Sequence, residues 1–236
     1  RYSPLAEPAR PTPAKRQRPV FTLPAPYENN DRVCAYLTSR GLSMGLLRMC
    51  IDAELVYEDM RHNCVFVGFD RKKVPRYAML RSSSQYSTFL GEVSGSDKRY
   101  SFSLSGSCET LYVFESAIDC LSFIELQRMK TDELKPDNYL SLSGVYRPSE
   151  GRHAELPAAL KECLSANDDI RHIALCLDND EAGRSAALAI CAALPDKYTA
   201  ELLPPQSGKD YNELLMLTKG IPPNIRVRKP KERRER

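Results

Sequence analysis

Four acidic residues stand where a metal-dependent site could form: Glu115, Asp119, Asp178 and Asp180. Glu115 ends the apolar run LYVFE, and Asp178 ends the run IALCLD. Short apolar runs predict buried strands, and the carboxyl ends of neighbouring parallel strands meet at one edge of a sheet. Asp180 follows Asp178 by two residues, so both carboxylates can project to one side of an extended backbone. Asp119 lies one helical turn after Glu115 and can face the same place.

A cluster of these four carboxylates would have a defined chemistry. Carboxylates gathered at one place raise one another's pKa unless a cation neutralises them. Oxygen ligands suit a hard divalent ion, so the set predicts Mg²⁺ or Mn²⁺ and phosphoryl or nucleotidyl transfer. Arg184, Lys209 and Lys98 are cations that could meet the remaining phosphate charge. A single Asp at a strand end is more often a helix cap, and Asp180 could cap the helix that begins near Glu181.

The bulk properties predict a water-soluble, cytoplasmic protein. No apolar run approaches the roughly 20 residues that a membrane span needs. The eight cysteines contain no C-x-x-C pair and no metal-ligand spacing with the three histidines, which favours reduced, buried thiols and no zinc site within this chain. The net charge is only +3, but basic residues crowd the ends, as in IRVRKPKERRER. Such ends are usually solvated and also suit a polyanion. Because the chain starts at Arg1, we expect it to be a segment of a longer protein.

The second half of the chain alternates strand-like and helix-like runs. Strands are predicted for LYVFE, NYLSLSG, RHIALCLD and TAELLPP, and helices for SAIDCLSFIELQRM, HAELPAALKECLSA, EAGRSAALAICAAL and DYNELLMLT. Alternation at this spacing predicts an α/β domain, a parallel sheet flanked by crossover helices, over residues 106–220.

The first half of the chain has a different composition and a different order of predicted elements. Residues 1–28 are rich in proline and predict an extended linker. Residues 29–105 predict a small α+β subdomain, with helices in NNDRVCAYLTSRG and SMGLLRMCIDA, then strands in ELVYED, NCVFVGFD, VPRYAMLRS and, more weakly, KRYSFSL. The turn at 70–73 predicts a hairpin. Residues 221–236 form a basic tail.

Four blocks over about residues 108–220 resemble the TOPRIM domain of bacterial and phage DNA primases. VFESAID is similar to the glutamate motif, and LCLDNDEAGRSAA is similar to the D-x-D-x-A-G-R motif. SLSG, ending at Gly144, matches a glycine turn after the second strand, and LPPQSGKDYNELL matches the closing stretch. The blocks occur in family order. Ser116 departs from the pattern, because the family usually has glycine directly after the glutamate.

The N-terminal part extends this resemblance. AYLTSRGLSMGLLRMCIDAELVYED is similar to the helix pair that opens the primase core, and FLGEVSGSDKRYSFSL resembles a domain of unknown function that precedes TOPRIM in mobile-element proteins. In such proteins a zinc-ribbon domain often lies further upstream. The resemblance thus implies a TOPRIM Rossmann-like parallel sheet after a small primase-core-like subdomain.

The resemblance also implies roles for individual residues. Glu115, Asp178 and Asp180 would be catalytic, and these three with Asp119 would bind the metal. The nucleotide and its phosphates would contact Lys209, Asp210, Arg184 and Gly144. The template path would use Arg40, Arg81, Lys98 and Arg99.

The function that follows is RNA primer synthesis on single-stranded DNA by a Mg²⁺- or Mn²⁺-dependent nucleotidyltransferase of a plasmid, phage or other mobile element. A replicative helicase or a relaxase is the expected partner, and no membrane is expected. Two alternatives remain open. One is a TOPRIM nuclease, which uses the same carboxylates. The other is a catalytically weak DNA-binding accessory module, which Ser116 and the basic ends favour.

Overall fold

A computed structural model describes residues 19–84, 86–131, 136–144, 146 and 155–222. Its N-terminal unit pairs two short helices with an antiparallel sheet. The elements are α1 (Asp31–Ser39), α2 (Met44–Asp52), β1 (Val56–Glu58), β2 (Asn63–Phe69), β3 (Pro75–Ser82) and β4 (Leu90–Glu92). The strand order is β1-β2-β3-β4, and each neighbouring pair is antiparallel.

The hairpin predicted at 70–73 connects β2 to β3. The Asp70 Oδ1 atom accepts hydrogen bonds from the backbone N–H groups of Lys72 and Val74, and Lys73 has a φ of 58°. An aspartate that folds back on the following backbone is a common means of closing a tight turn. The sequence prediction of two helices followed by strands is confirmed here, with β4 as an additional strand.

The second unit is the predicted α/β domain. Its elements are β5 (Ser103–Leu104), β6 (Thr110–Phe114), α3 (Ala117–Thr131), β7 (Asn138–Ser141), α4 (Ala158–Ala166), β8 (His172–Leu175), α5 (Glu181–Ala193), β9 (Thr199–Leu202) and α6 (Tyr211–Thr218). The strand order is β5-β7-β6-β8-β9. The four strands β6 to β9 are parallel, and β5 lies antiparallel at the edge beside β7. The predicted parallel sheet with flanking helices is therefore present.

Two stretches differ from the sequence prediction. KRYSFSL does not form one strand. Lys98–Tyr100 is a 3₁₀ turn, and only Ser103–Leu104 pairs with another strand. These two residues precede residue 106 but belong to the second sheet. The helix predicted in HAELPAALKECLSA begins at Ala158, and Pro157 precedes it as the N-cap residue. Proline lacks a backbone N–H and is tolerated at such a boundary. Residues 147–154, before this helix, lie outside the described residues.

The two units share one hydrophobic core. A cluster of buried side chains runs from Leu37 on α1 and Leu46 on α2 to Leu121 on α3 and Leu215 on α6. A second cluster on the other face of the parallel sheet packs β6 and β8 against α4 and α5. Burial on both faces explains why β6, β7 and β8 are largely apolar runs, whereas the edge strand β9 is exposed.

The proline-rich start is packed where the structure describes it. Phe21 and Leu23 contact the outer face of the four-stranded sheet, and Pro26 forms a bridge to Asp59. The rest of the predicted linker, residues 1–18, and positions 223–236 of the predicted basic tail lie outside the described residues. No helix in the described part of the chain is long and apolar enough to cross a membrane.

Candidate active site at the carboxyl ends of the parallel strands

Glu115 and Asp178 meet across two neighbouring strands. Glu115 directly follows β6, and Asp178 lies three residues beyond the end of β8, which pairs with β6 in parallel register. The Asp178 backbone N–H donates to Glu115 Oε1 at 3.2 Å. The sheet topology thus places both carboxylates at one edge, 63 residues apart in the chain.

Asp180 lies at the same edge and has two roles in its local structure. It is the N-cap of α5, where its Oδ1 atom accepts the Gly183 backbone N–H at 2.9 Å. The cap interpretation of Asp180 is therefore confirmed for this oxygen. Its Oδ2 atom lies 3.3 Å from the Lys209 ammonium, which also lies 3.2 Å from Asp178 Oδ2. One lysine thus bridges the two aspartates.

The electrostatics of the site favour protonation of its buried acids. Burial, and then the charge of Asp178, raise the pKa of Glu115 to about 7. Burial also raises the pKa of Asp178, against the hydrogen bond from Lys209. The Gly183 backbone N–H lowers the pKa of the more exposed Asp180. Lys209 in turn has a pKa raised to about 12, chiefly by its hydrogen bond to Asp178.

Asp119 is buried one turn into the following helix and is held by both of its oxygens. Ser116 Oγ donates to Asp119 Oδ2 at 2.5 Å, and the backbone N–H of Asn212 donates to Asp119 Oδ1 at 3.1 Å. Burial, and then the charge of Asp210, raise the pKa of Asp119 above its ordinary value. This carboxylate therefore links the start of α3 to the start of α6, and its role as a metal ligand stays a prediction.

Two glycines of the predicted motifs allow close backbone approaches. A Cβ atom at Gly183 would lie 2.1 Å from the Asp178 carbonyl oxygen, so only glycine lets α5 start against the Asp178 backbone. Gly144 has a φ of 127°, and its backbone N–H donates to the Glu115 carbonyl oxygen at 2.9 Å. Gly144 thus connects the turn after β7 to the backbone of the site.

The other residues predicted to meet phosphates have local partners. The Arg184 guanidinium donates to the carbonyl and side-chain oxygens of Asn179, both at 3.1 Å, and is solvent-exposed beside the site. Asp210 is the N-cap of α6, where its Oδ1 atom accepts the Glu213 backbone N–H at 2.7 Å. Their contact with a nucleotide stays a prediction.

The four predicted nucleic-acid-binding cations fall into two groups. Arg81 donates to the Tyr36 hydroxyl at 2.6 Å, and the Arg40 guanidinium lies over the Tyr36 ring, so these two cations share one aromatic residue. Lys98 pairs with Glu92 at 2.7 Å, and Arg99 pairs with Asp97 at 2.6 Å. Arg40 and Arg81 are half-buried beside a neutral aromatic ring, whereas Lys98 and Arg99 are more exposed but paired with acids, and the contact of all four with DNA stays a prediction.

Three residues have roles that the sequence analysis did not assign. Ser116 caps α3 through Asp119, Asn212 joins α6 to Asp119 and to the Arg40 carbonyl oxygen, and Tyr36 orients two arginines. Ser116 carried a recognisable signal, because serine three residues before an aspartate is typical of a helix start. The contact of Tyr36 with Arg81 and the contacts of Asn212 join residues far apart in the chain, which no local pattern indicates.

The acid cluster has the composition of a divalent-metal site, although it is closed by an ammonium group. Within the described residues, no three acidic, histidine or cysteine side chains are grouped as ready metal ligands. The Lys209 ammonium group contacts the Oδ2 atoms of both aspartates. Glu115, Asp178 and Asp180 nevertheless outnumber this single positive charge, and their oxygen donors are those that Mg²⁺ prefers. The residues therefore fit a hard divalent ion.

Comparison with known proteins agrees with the fold. Residues 112–215 match the family described as Toprim-like, and residues 35–107 match the family described as protein of unknown function DUF3991. A curated relative, the 65 kDa protein of Zymomonas mobilis subsp. mobilis, is 30% identical over 235 residues. That alignment covers 94% of this chain but only 37% of the relative, so the chain spans little more than a third of that protein's length.

Solved primase structures share the architecture at low sequence identity. The primase fragment of the bacteriophage T7 primase-helicase protein has a TM-score of 0.53 and 20% identity, over 90% of this chain and 80% of that chain. The Aquifex aeolicus primase, with its zinc-binding and RNA polymerase domains, has a TM-score of 0.52 and 13% identity, over 81% and 53%. A DnaG primase catalytic domain bound to single-stranded DNA has a TM-score of 0.51 and 15% identity, over 80% and 68%. The chain is therefore similar to the Toprim-like family over residues 112–215 and to the DUF3991 family over residues 35–107, and its fold resembles that of primase catalytic domains.

Proposed function

We propose that this chain is a primase-type, Mg²⁺- or Mn²⁺-dependent nucleotidyltransferase that makes RNA primers on single-stranded DNA. The observation that carries the proposal is the direct contact between Glu115 and the Asp178 backbone, with Asp180 beside them at the same sheet edge. Toprim-like domains generally bind Mg²⁺. Three acids from two distant parts of the chain meet at the carboxyl edge of a parallel sheet, which supports a site for phosphate chemistry.

The reaction joins two nucleotides. The 3′-hydroxyl of one nucleotide loses its proton and attacks the α-phosphorus of a nucleoside triphosphate, and the bond to the departing pyrophosphate breaks. In this proposal Asp178 and Asp180 would hold the divalent ion through carboxylate oxygens, beside Glu115 and Asp119. When bound, the ion would supply charge neutralisation for the triphosphate and the leaving pyrophosphate.

Glu115 suits a proton-transfer role in this reaction. Its pKa, raised to about 7 by burial and by Asp178, lets it exist in both protonation states near neutral pH. A general base works best when its pKa lies close to the working pH. Glu115 would therefore accept the proton of the attacking hydroxyl, while the exposed Arg184 and Lys209, with Asp210 and the Gly144 turn, would border the triphosphate.

The DNA template is proposed to lie along the N-terminal unit. Arg40 and Arg81 flank the Tyr36 ring on α1 and β3, an arrangement of two cations and an aromatic face that suits phosphates and stacked bases. Lys98 and Arg99 are already paired with acids, so we expect them to contribute less. A replicative helicase or a relaxase encoded by the same mobile element is the proposed partner of this cytoplasmic activity, and the T7 relative is named a primase-helicase protein.

A primer-synthesis assay tests the proposal. The 236-residue chain is incubated with single-stranded DNA, Mg²⁺ and labelled ribonucleotides, and short labelled RNA products are expected. Replacing Asp178 and Asp180 together by alanine should reduce product at least about a hundredfold, as expected when a charge-stabilising group is removed from an active site. Asp169→Ala is the matched control, because this exposed aspartate precedes β8, at the opposite end of the strand from the site.

The outcomes separate the alternative functions. Primer synthesis that survives the double replacement removes these aspartates from the mechanism. Cleavage of DNA with Mg²⁺ or Mn²⁺ in the absence of nucleotides identifies a nuclease that uses the same acids. Salt-sensitive DNA binding without either activity, unchanged by Glu115→Gln, identifies an accessory binding module.

A further inference from the structure

Lys209 occupies the carboxylate oxygens that a divalent ion would use. Its Nζ atom lies 3.2 Å from Asp178 Oδ2 and 3.3 Å from Asp180 Oδ2. Asp180 Oδ1 is already committed to the Gly183 N–H as the cap of α5. Asp180 therefore has only its Oδ2 atom available to a cation, and the Lys209 ammonium group contacts that atom.

The backbone of Lys209 is held by hydrogen bonds, whereas its side chain is exposed to solvent. The Lys209 backbone N–H donates to Glu213 Oε2 at 2.5 Å, and its carbonyl oxygen accepts the Asn179 N–H at 2.7 Å. Gly208 has a φ of 80°, and a Cβ atom there would lie 2.9 Å from Glu213 Cγ, so this turn favours glycine over any other residue. The Lys209 side chain itself is 58% exposed. Charge, and not packing, thus keeps the ammonium group between the aspartates.

An ammonium group and a divalent ion compete for these two oxygens. Like charges a few ångströms apart repel strongly, so an ion on the Oδ2 atoms favours departure of the lysine head. A long, flexible side chain on a rigid turn can leave without moving the backbone, and the nearest new partner for its charge is the anionic triphosphate that the ion brings.

We propose that Lys209 is a tethered counter-ion that competes with the divalent metal for Asp178 and Asp180, and that its displaced ammonium group then binds a phosphate of the incoming nucleotide. This rests on the proposed function for the identity of the nucleotide, but the competition itself needs only the two aspartates. Metal and nucleotide binding become coupled. The metal frees the lysine for the phosphate, and the phosphate draws the lysine away from the aspartates that bind the metal.

The test measures metal and nucleotide binding separately from catalysis. Binding of Mn²⁺ to the full chain without nucleotide is followed by the electron paramagnetic resonance signal of free Mn²⁺. Lys209→Met keeps the length of the side chain and removes its charge, and it should tighten Mn²⁺ binding about three- to tenfold. Lys161→Met makes the same change on the exposed side of α4 and should leave Mn²⁺ binding unchanged. The affinity for ATP with Mn²⁺ present should fall by a similar factor in Lys209→Met.

Each result decides the matter. Weaker or unchanged Mn²⁺ binding in Lys209→Met, with thermal unfolding like that of the wild type, overturns the competition. Tighter Mn²⁺ binding with unchanged ATP affinity overturns the phosphate contact alone. If Lys209→Met binds Mn²⁺ more tightly while the wild type makes no primers, the counter-ion role stands and the primase function fails. Absence of Mn²⁺ binding in both proteins at millimolar concentration contradicts both proposals.

Discussion

At the residue scale, Glu115 and Asp178 are held in an environment that resists their ionisation, whereas the more exposed Asp180 is not. Glu115 is 7% exposed, and burial raises its pKa to about 7 from an ordinary value of 4.5. In the unfolded chain the ordinary value returns. The folded state therefore binds the proton more tightly than the unfolded state does. As the pH rises from below 4.5 to above 7, ionisation of Glu115 lowers the free energy of unfolding.

Glu115→Gln is predicted to remove this pH dependence in part. Glutamine keeps an oxygen for the Asp178 N–H but carries no charge, so the variant should be more stable than the wild type at pH 8, by up to about 3 kcal/mol. The gap should close towards pH 4, where Glu115 is protonated. Urea unfolding in the presence of EDTA, at several pH values, measures it. A gap of the same size at pH 4 and pH 8 would contradict the raised pKa.

Ser116 is predicted to contribute stability, where the family pattern has glycine. Its hydroxyl caps α3 by accepting the Asp119 N–H at 3.2 Å and donating to the Asp119 carboxylate. Ser116→Ala should therefore lower the free energy of unfolding by about 1 kcal/mol, the usual contribution of a cap. Ser116→Thr retains the hydroxyl and is the control. Equal stability of the alanine and threonine variants in urea unfolding would show that the cap contributes nothing.

At the element scale, the start of α5 is the point where helix and site depend on one another. The helix begins against the Asp178 backbone, and Gly183 is the residue that permits the contact. Gly183→Ala is predicted to lower the free energy of unfolding by about 2 kcal/mol or more, because a backbone atom 2.1 Å from the new Cβ must shift. The same shift moves Asp178, so Mn²⁺ binding should weaken as well.

Gly45→Ala in α2 is the matched comparison for that substitution. A Cβ atom at Gly45 would be 3.7 Å from the Arg128 guanidinium, an ordinary contact, and alanine favours a helix more than glycine does. Gly45→Ala should therefore raise the free energy of unfolding by about 0.5–1 kcal/mol. Urea unfolding compares the two variants, and similar destabilisation by both would refute the close contact at Gly183.

Long, strongly patterned elements were predictable from the sequence, and short ones were not. The parallel strands and their helices follow from apolar runs of ordinary length, and the placement of Glu115 and Asp178 at one edge follows from parallel topology. The two-residue strand β5 has no pattern of its own, since its pairing with β7 is decided by tertiary packing. The position of Lys209 between the two aspartates was also not predictable from the sequence, because it depends on how the turn before α6 packs against the turn before α5.

At the scale of the whole molecule, the two units are joined by polar contacts beside the shared core. The turn between α1 and α2 meets α3 and α6 there. Lys219 Nζ donates to the Gly41 carbonyl oxygen at 2.7 Å and to Glu125 Oε1 at 2.8 Å, while Ser43 Oγ donates to Glu125 Oε2 at 2.7 Å. Glu125 is 4% exposed, so these bonds are shielded from water. The N-terminal unit is thereby fixed to the helices that carry Asp119 and Asn212.

This junction predicts that the chain unfolds as one unit and that Glu125 and Lys219 act together. Glu125→Gln should lower the free energy of unfolding by about 2–3 kcal/mol, because it leaves the Lys219 ammonium partly buried without its carboxylate. Adding Lys219→Met should recover part of that loss, since the unpaired charge is then removed, and the double-mutant cycle should give a coupling of about 1 kcal/mol or more. Glu109→Gln, at an exposed position before β6, is the control and should change stability little. Urea unfolding is followed by circular dichroism and by tyrosine fluorescence, and both signals should show one coincident transition in every variant. Two separate transitions in the wild type would show that the units fold independently and that the shared core does not couple them.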